Sequence, residues 1–151
     1  MIDDKFPTVS IVVPVYNAES TLALCLGSLI NLDYPSERLE ILVVDNNSRD
    51  SSREIISRFP VICLEEKIQT SYAARNRGIA EAKGEIIAFT DSDCIVDAKW
   101  LRNLLSGFQG EDIGCCAGEV VPFNPRSLVE VYQARKGILS QTATLNKNGG
   151  A

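Results

Sequence analysis

Apolar residues fall in short runs divided by polar turns, and their period switches between that of strands and that of helices. Val9-Ser10-Ile11-Val12-Val13 is β-branched and short, ends at Pro14, and predicts a buried parallel strand over 9–13. Leu22, Cys25, Leu26, Leu29 and Ile30 then recur at helical spacing and predict a helix facing a sheet, with Asn17 as its cap. A second strand is expected over 39–44. Asp45-Asn46-Asn47-Ser48 reads as a turn, and Asp50 or Ser51 as the cap of a helix carrying Ile55, Ile56 and Phe59. A third short strand covers 61–64. Residues 71–83 read as a helix ended by Gly84 at the position just past its C-cap. A fourth strand follows over 86–89, then a helix capped by Asp97 with Trp100, Leu101, Leu104, Leu105 and Phe108 on its apolar face. A further strand over 113–121, interrupted by Gly114, Gly118 and Glu119, and an amphipathic helix over 127–139 complete the pattern; 142–151 has no apolar period.

Strands alternating with helices imply an α/β fold: a mainly parallel sheet, right-handed crossovers and helices on both faces. The 151 residues suit a single domain, with no repeat and no linker. Ligands of such sheets gather at the carboxyl ends of the strands. Four polar clusters are therefore expected on one rim: residues 14–17, residues 45–48, the start of the helix at Ser71, and residues 91–93.

Composition narrows the chemistry. Apolar residues make up 45%, enough for a core. A net charge of −5 and a pI near 4.8 exclude a nucleic-acid backbone as the natural partner. There is no histidine, so Ser-His-Asp and Cys-His nucleophiles and His metal ligands are excluded. The five cysteines, Cys25, Cys63, Cys94, Cys115 and Cys116, lack CxxC spacing and read as reduced thiols of a cytoplasmic protein. No apolar stretch approaches the roughly 20 residues of a membrane span. Contact with the cytoplasmic face of a membrane is left to segments outside this chain.

Carboxylates, a metal, Arg, Lys and backbone donors remain. Asp91-Ser92-Asp93 follows the apolar run of the fourth strand and offers hard oxygen ligands to Mn²⁺ or Mg²⁺ and to the phosphates such an ion carries. On an extended segment the two carboxylates point the same way, and one can bind metal while the other reaches a ribose. The plainer reading is a loop turn and a helix cap. Asp45 can accept hydrogen bonds from a base, although Asp, Asn and Ser also make turns and caps. Tyr16, after Pro14, offers an aromatic face and a hydroxyl, or is a half-buried strand-end tyrosine. Arg75 lies near a helix N-terminus and can fork onto a phosphate, or belongs to a solvated face.

Taken in order, four segments resemble the donor half of a family 2 glycosyltransferase with the GT-A fold. They are the opening strand and turn through Asn17, Val43-Val44-Asp45-Asn46-Asn47-Ser48-Arg49-Asp50, Ala74-Arg75-Asn76-Arg77-Gly78, and Phe89-Thr90-Asp91-Ser92-Asp93. The resemblance covers residues 8–121. It implies a Rossmann-like nucleotide-diphospho-sugar transferase fold and inverting transfer of a sugar from a nucleotide diphosphate donor, UDP by default, to a glycan, lipid or protein acceptor. It implies Mn²⁺ or Mg²⁺ as cofactor. Asp45 would hydrogen-bond the base, with Pro14 and Tyr16 bordering its pocket. Asn17, Asn47 and Ser92 would line the donor site. Arg75 would lie near the base or diphosphate, Asp91 near the ribose, and Asp93 on the metal, with Asp91 beside it.

Two departures stand out. Asn46 and Asn47 occupy positions where the family often has Asp and Gly. The acidic base and the Arg-Trp motif of the acceptor half are not recognised in this chain, Glu119 and Glu130 remaining only by elimination. The chain is therefore expected to be a donor-binding part of the domain, with the general base beyond Ala151. Two alternatives stay open: a nucleotide-sugar-binding module without catalysis, and a sugar-nucleotide nucleotidyltransferase, disfavoured because residues 14–20 lack a glycine-rich phosphate loop. A half-domain would expose its sheet edge, so self-association is open too.

Overall fold

A computed structural model describes residues 6–108 and 113–123. Strands β1 (Val9–Val15), β2 (Leu39–Asp45), β3 (Ile62–Glu65) and β4 (Ile86–Phe89) pair in parallel in the order β3-β2-β1-β4. Helices α1 (Leu22–Ile30), α2 (Ser52–Ile56) and α3 (Ser71–Glu81) make the crossovers, and α4 (Trp100–Leu105) follows β4. A short 3₁₀ turn, Ser36–Arg38, leads into β2.

The central pair sets the core. Val12 faces Leu42 and Val13 faces Val43 across β1 and β2, and all four are essentially shielded from solvent. Side chains alternate between faces, so Val12, Leu42 and Val44 share one face. Ala74 of α3 closes that cluster, and a Cβ on Gly78 would lie 2.3 Å from Val12 Cγ1. The other face carries Val13, Val43 and Asp45, and Arg53 of α2 reaches Asp45 there. Helices thus cover both faces, as the apolar runs require.

Several boundaries differ from the expectation. β1 runs through Pro14 instead of ending there. Val12 points its carbonyl toward β4, where Thr90 N–H donates to it, and Pro14 two residues on points the same way. β4 has already ended at Phe89, so the missing N–H of Pro14 forfeits no ladder bond. Thr21, not Asn17, stands at the N-cap of α1, without a side-chain capping bond, and Ile30 is exposed. Ser51 is the N-cap of α2, and the Asp50 carboxylate accepts from Ser52 N–H. Phe59 lies beyond α2. α3 ends at Glu81, with Ala82 extended at its C-cap. Gly84 is required for a different reason from the one expected: a Cβ there would stand 2.5 Å from the Ser10 backbone nitrogen.

The chain forms two compact units, Met1–Leu101 and Arg102–Ala151. In the second, no strand forms over 113–121, contrary to its apolar pattern. A strand exists only through its ladder, and these residues form none. Val120, Val121 and Phe123 are exposed. The helix expected over 127–139 and Glu130 lie outside the described residues.

Candidate functional site

The chain leaves β1 toward β2 and β3 on one side and returns to β4 on the other. The carboxyl ends of β1 and β4 therefore flank a topological switch point, where open α/β sheets form a crevice. A cavity of about 700 Å³ opens there. Its walls are the turn after β1, Asn46 after β2, residues 69–71 with Arg75 of α3, and Asp91-Ser92-Asp93 after β4.

The β1 turn contributes Pro14, Tyr16 and Asn17, with Tyr16 about half exposed. Asn17 adopts φ 49°, a left-handed conformation that Asn tolerates better than most residues. Its backbone N–H donates to Ser48 Oγ at 3.1 Å, and its Oδ1 accepts from Arg49 N–H at 2.8 Å. Ala18 N–H donates to Ser52 Oγ, Glu19 N–H donates to the Asp50 carboxylate, and the Glu19 carboxylate accepts from Ser51 N–H across the two turns. Asn17 thus braces the β1 turn against the β2 turn, which explains why it does not cap α1.

At the end of β2 neighbouring residues part company. Asp45 is 1% exposed, its Oδ2 lies 2.8 Å from Arg53 Nε, and its Oδ1 accepts from Ser48 N–H at 3.2 Å. With Asn47 it lines a separate pocket of about 270 Å³, together with Arg53, Glu65, Glu66 and Lys67. Asn47 has φ 66°, so an Asn serves where the family often has Gly. Asn46 between them faces the main cavity. Its backbone N–H donates to Val15 O at 2.7 Å, and its Nδ2 donates to the carbonyls of Glu66 and Ile68 at 3.0 and 2.7 Å. Asn46 was not among the expected site residues. The period-2 alternation at the end of a buried strand was the available signal, since it separates residue 46 from 45 and 47.

The α3 wall begins with Thr70, whose Oγ1 accepts from Ala73 N–H at 3.1 Å as the N-cap. A threonine just before a predicted helix was a readable cap signal; Gln69 carried none. Arg75 Nη2 lies 2.6 Å from Asp91 Oδ1, so α3 and the β4 loop meet through an ion pair.

Asp91-Ser92-Asp93 is a turn, not the expected extended segment. Cys94 N–H closes it onto the Asp91 carbonyl at 3.0 Å, and the Cys25 thiol of α1 reaches the same carbonyl at 3.5 Å. Burial, then the negative groups of Cys94, Asp93 and Asp91, push the Cys25 thiol up to about 12. Cys25 is therefore a neutral packing thiol beneath the loop. Both aspartates stay exposed at the cavity.

No group of three or more His, Cys, Asp or Glu side chains is arranged to hold a metal ion among the described residues. Asp91 and Asp93 still fit a hard divalent ion, because Mg²⁺ is commonly held by one or two carboxylates while phosphates and water fill its shell. Arg75 already neutralises part of Asp91, which leaves Asp93 as the freer carboxylate.

The profile described as Glycosyl transferase family 2 matches residues 10–148. The chain belongs to this family. Glycosyltransferase AglE of Haloferax volcanii is 38% identical over 120 residues, covering 76% of this chain and 40% of that protein. The poly(ribitol-phosphate) beta-glucosyltransferase of Bacillus spizizenii is 40% identical over 100 residues, covering 62% of this chain and 16% of that protein. Among solved structures, the mannosyltransferase PcManGT from Pyrobaculum calidifontis, in complex with GDP-Man and Mn²⁺, superposes with a TM-score of 0.67 at 27% identity. The overlap covers 72% of this chain and 34% of that one. Staphylococcus aureus TarS 1-349 in complex with UDP-GlcNAc gives 0.60 at 26% identity, over 67% and 31% of the two chains. The fold is of the GT-A type, and this chain spans less than half the length of these relatives. Among the described residues, no helix is long and apolar enough to cross a membrane.

Proposed function

We propose that this chain forms the donor site of a metal-dependent, inverting glycosyltransferase that uses a nucleotide diphosphate sugar. The observation that carries the reading is the cavity at the switch point, where an aromatic ring, a helix-borne arginine and two carboxylates meet from three distant segments. Solved relatives bound to GDP-Man and UDP-GlcNAc support a nucleotide sugar as ligand.

Tyr16 and Pro14 border the base, Arg75 steadies the diphosphate, Asp91 approaches the ribose, and Asp93 with Asp91 would hold Mn²⁺ or Mg²⁺. When bound, that ion acts as a Lewis acid that offsets charge on the leaving diphosphate. Arg75 positions the Asp91 carboxylate, and the closed turn fixes the spacing of the two aspartates. Asp45 would meet a base with Arg53 already bonded to one oxygen and Ser48 N–H to the other. Asp91 and Asp93 are the only carboxylates of the cavity among the described residues. We assign deprotonation of the acceptor hydroxyl to a carboxylate elsewhere in the enzyme.

Calorimetric titration of UDP, GDP and dTDP, with and without Mn²⁺, tests the reading. One nucleotide should bind in a metal-dependent way, and Asp93→Ala should weaken that binding at least about tenfold while leaving the fold intact. Equal affinity in Asp93→Ala would show the metal assignment to be wrong. Absence of binding for all three nucleotides would remove the donor reading.

A further inference from the structure

We propose that Asn46 is the positioning residue of this cavity: its amide holds the loop after β3 and thereby sets the wall made by Gln69, Thr70, Ser71 and the start of α3. The role is stated for the donor site proposed above, and it rests on that reading.

Three bonds from one residue join three elements. The backbone N–H of Asn46 ties it to the end of β1 at Val15 O, and both protons of its Nδ2 reach carbonyls of the loop, Glu66 O at 3.0 Å and Ile68 O at 2.7 Å. The residue is 4% exposed, so water is poorly placed to substitute. The loop carries the constraint onward. Glu66 N–H donates to Asp45 O, Ile68 N–H to Glu66 Oε1, and Thr70 N–H to Ile68 O at 2.8 Å. Ile68 O therefore links the Asn46 amide to Thr70, and Thr70 caps the helix from which Arg75 reaches Asp91.

The chemistry demands an amide. A carboxylate has no proton to give and would face two carbonyl oxygens in a buried setting. The asparagine that departs from the family's frequent Asp is thus matched to the conformation of residues 66–70. A neutral side chain also adds no further negative charge to a cavity that already holds Asp91 and Asp93.

The test compares the parent chain with Asn46→Asp and Asn46→Ala by amide hydrogen exchange and by Mn²⁺-dependent nucleotide titration at pH 8 and about pH 5. In Asn46→Asp at pH 8, the amides of Ile68, Thr70 and Ala73 should exchange at least about tenfold faster than in the parent, and nucleotide affinity should fall by a similar factor. Burial and the facing carbonyls raise the pKa of the new carboxyl, so at the lower pH it regains a proton and a donor. The gap to the parent at that same pH should then narrow. Asn46→Ala should loosen the same amides at both pH values, without recovery, and it keeps the test alive if the aspartate variant fails to fold. Exchange within about twofold of the parent in the folded variants overturns the proposal, whatever the nucleotide does. Loosened amides with unchanged nucleotide affinity overturn the claim that the loop positions the site. Loosened amides in a chain whose parent form binds no nucleotide uphold the Asn46 contacts and overturn the donor reading instead.

Discussion

At the scale of single residues, the site is governed by what each polar atom is bonded to. Asp45 was legible as a carboxylate in the turn after the second strand, but neither its burial at the end of β2 nor its partner was. Arg53 is eight positions away in the chain, and only the return of α2 onto the sheet brings it to 2.8 Å. Removing the guanidinium leaves Asp45 buried with a single backbone donor, so Arg53→Met should cost about 1–3 kcal/mol in chemical denaturation. A loss below about 0.3 kcal/mol would mean that water replaces the arginine. Cys25 makes a different test. Its pKa is raised from 9.0 to about 12, so the neutral buried thiol contributes stability below about pH 9, and that contribution is lost as the pH rises through about 12. At pH 8 iodoacetamide should label the exposed Cys63 and Cys115 and spare Cys25 in the folded chain. Rapid native labelling of Cys25 would contradict its place beneath the Asp91 turn.

At the scale of elements, two glycines decide how closely backbone segments approach. Gly78 lets α3 settle on β1, and a methyl there would meet the stiff, buried Val12. Alanine gains about 1 kcal/mol in helix propensity and loses about 1–3 kcal/mol to overpacking. Gly78→Ala should therefore lower stability on balance, and adding Val12→Ala should cost less than the sum of the two single changes. Strict additivity would show that the contact is relieved elsewhere. Gly84 is less forgiving, because its neighbour is backbone. Its N–H also donates to Ser10 Oγ, which donates in turn to Glu40 at 2.5 Å. Gly84→Ala should cost about 3 kcal/mol or more, measured by urea unfolding. The sequence marked Gly84 as a helix terminator; the structure gives it a contact 74 residues away in the chain.

At the scale of the whole molecule, strand order matters more than any single motif. Placing β1 between β2 and β4 gathers the β1 turn, Asn46, α3 and the β4 turn around one cavity. A ligand that binds there stabilises the folded chain by mass action, by about 2.7 kcal/mol at one hundred times its dissociation constant. Thermal melting with saturating nucleotide and Mn²⁺ should therefore rise by several degrees, and the rise should vanish with EDTA or in Asp93→Ala. A shift with nucleotide alone would place the affinity in protein contacts rather than in the metal.

Period and composition were enough to predict four strands and the helices between them, and four separated motifs were enough to indicate the family, because these signals are local or read in order along the chain. The absence of histidine also restricted the chemistry to carboxylates, basic groups and metal before any fold was known. Local pattern failed where a partner was needed: the apolar run over 113–121 forms no strand, since hydrophobicity does not supply a ladder. It also failed at the rim. Asp45, Asn46 and Asn47 are consecutive, and alternation separates 46 from its neighbours, yet only the packing of α2 and of the 66–70 loop gives Asp45 its Arg53 partner and Asn46 its carbonyl partners. The pairing of Arg75 with Asp91 likewise arises from two segments that meet only when β4 returns beside β1. Residue types and their spacing thus select the chemistry available to this protein. Which atoms face one another is decided by tertiary structure, because hydrogen bonds and ion pairs act over a few ångströms in space, whatever the separation along the chain.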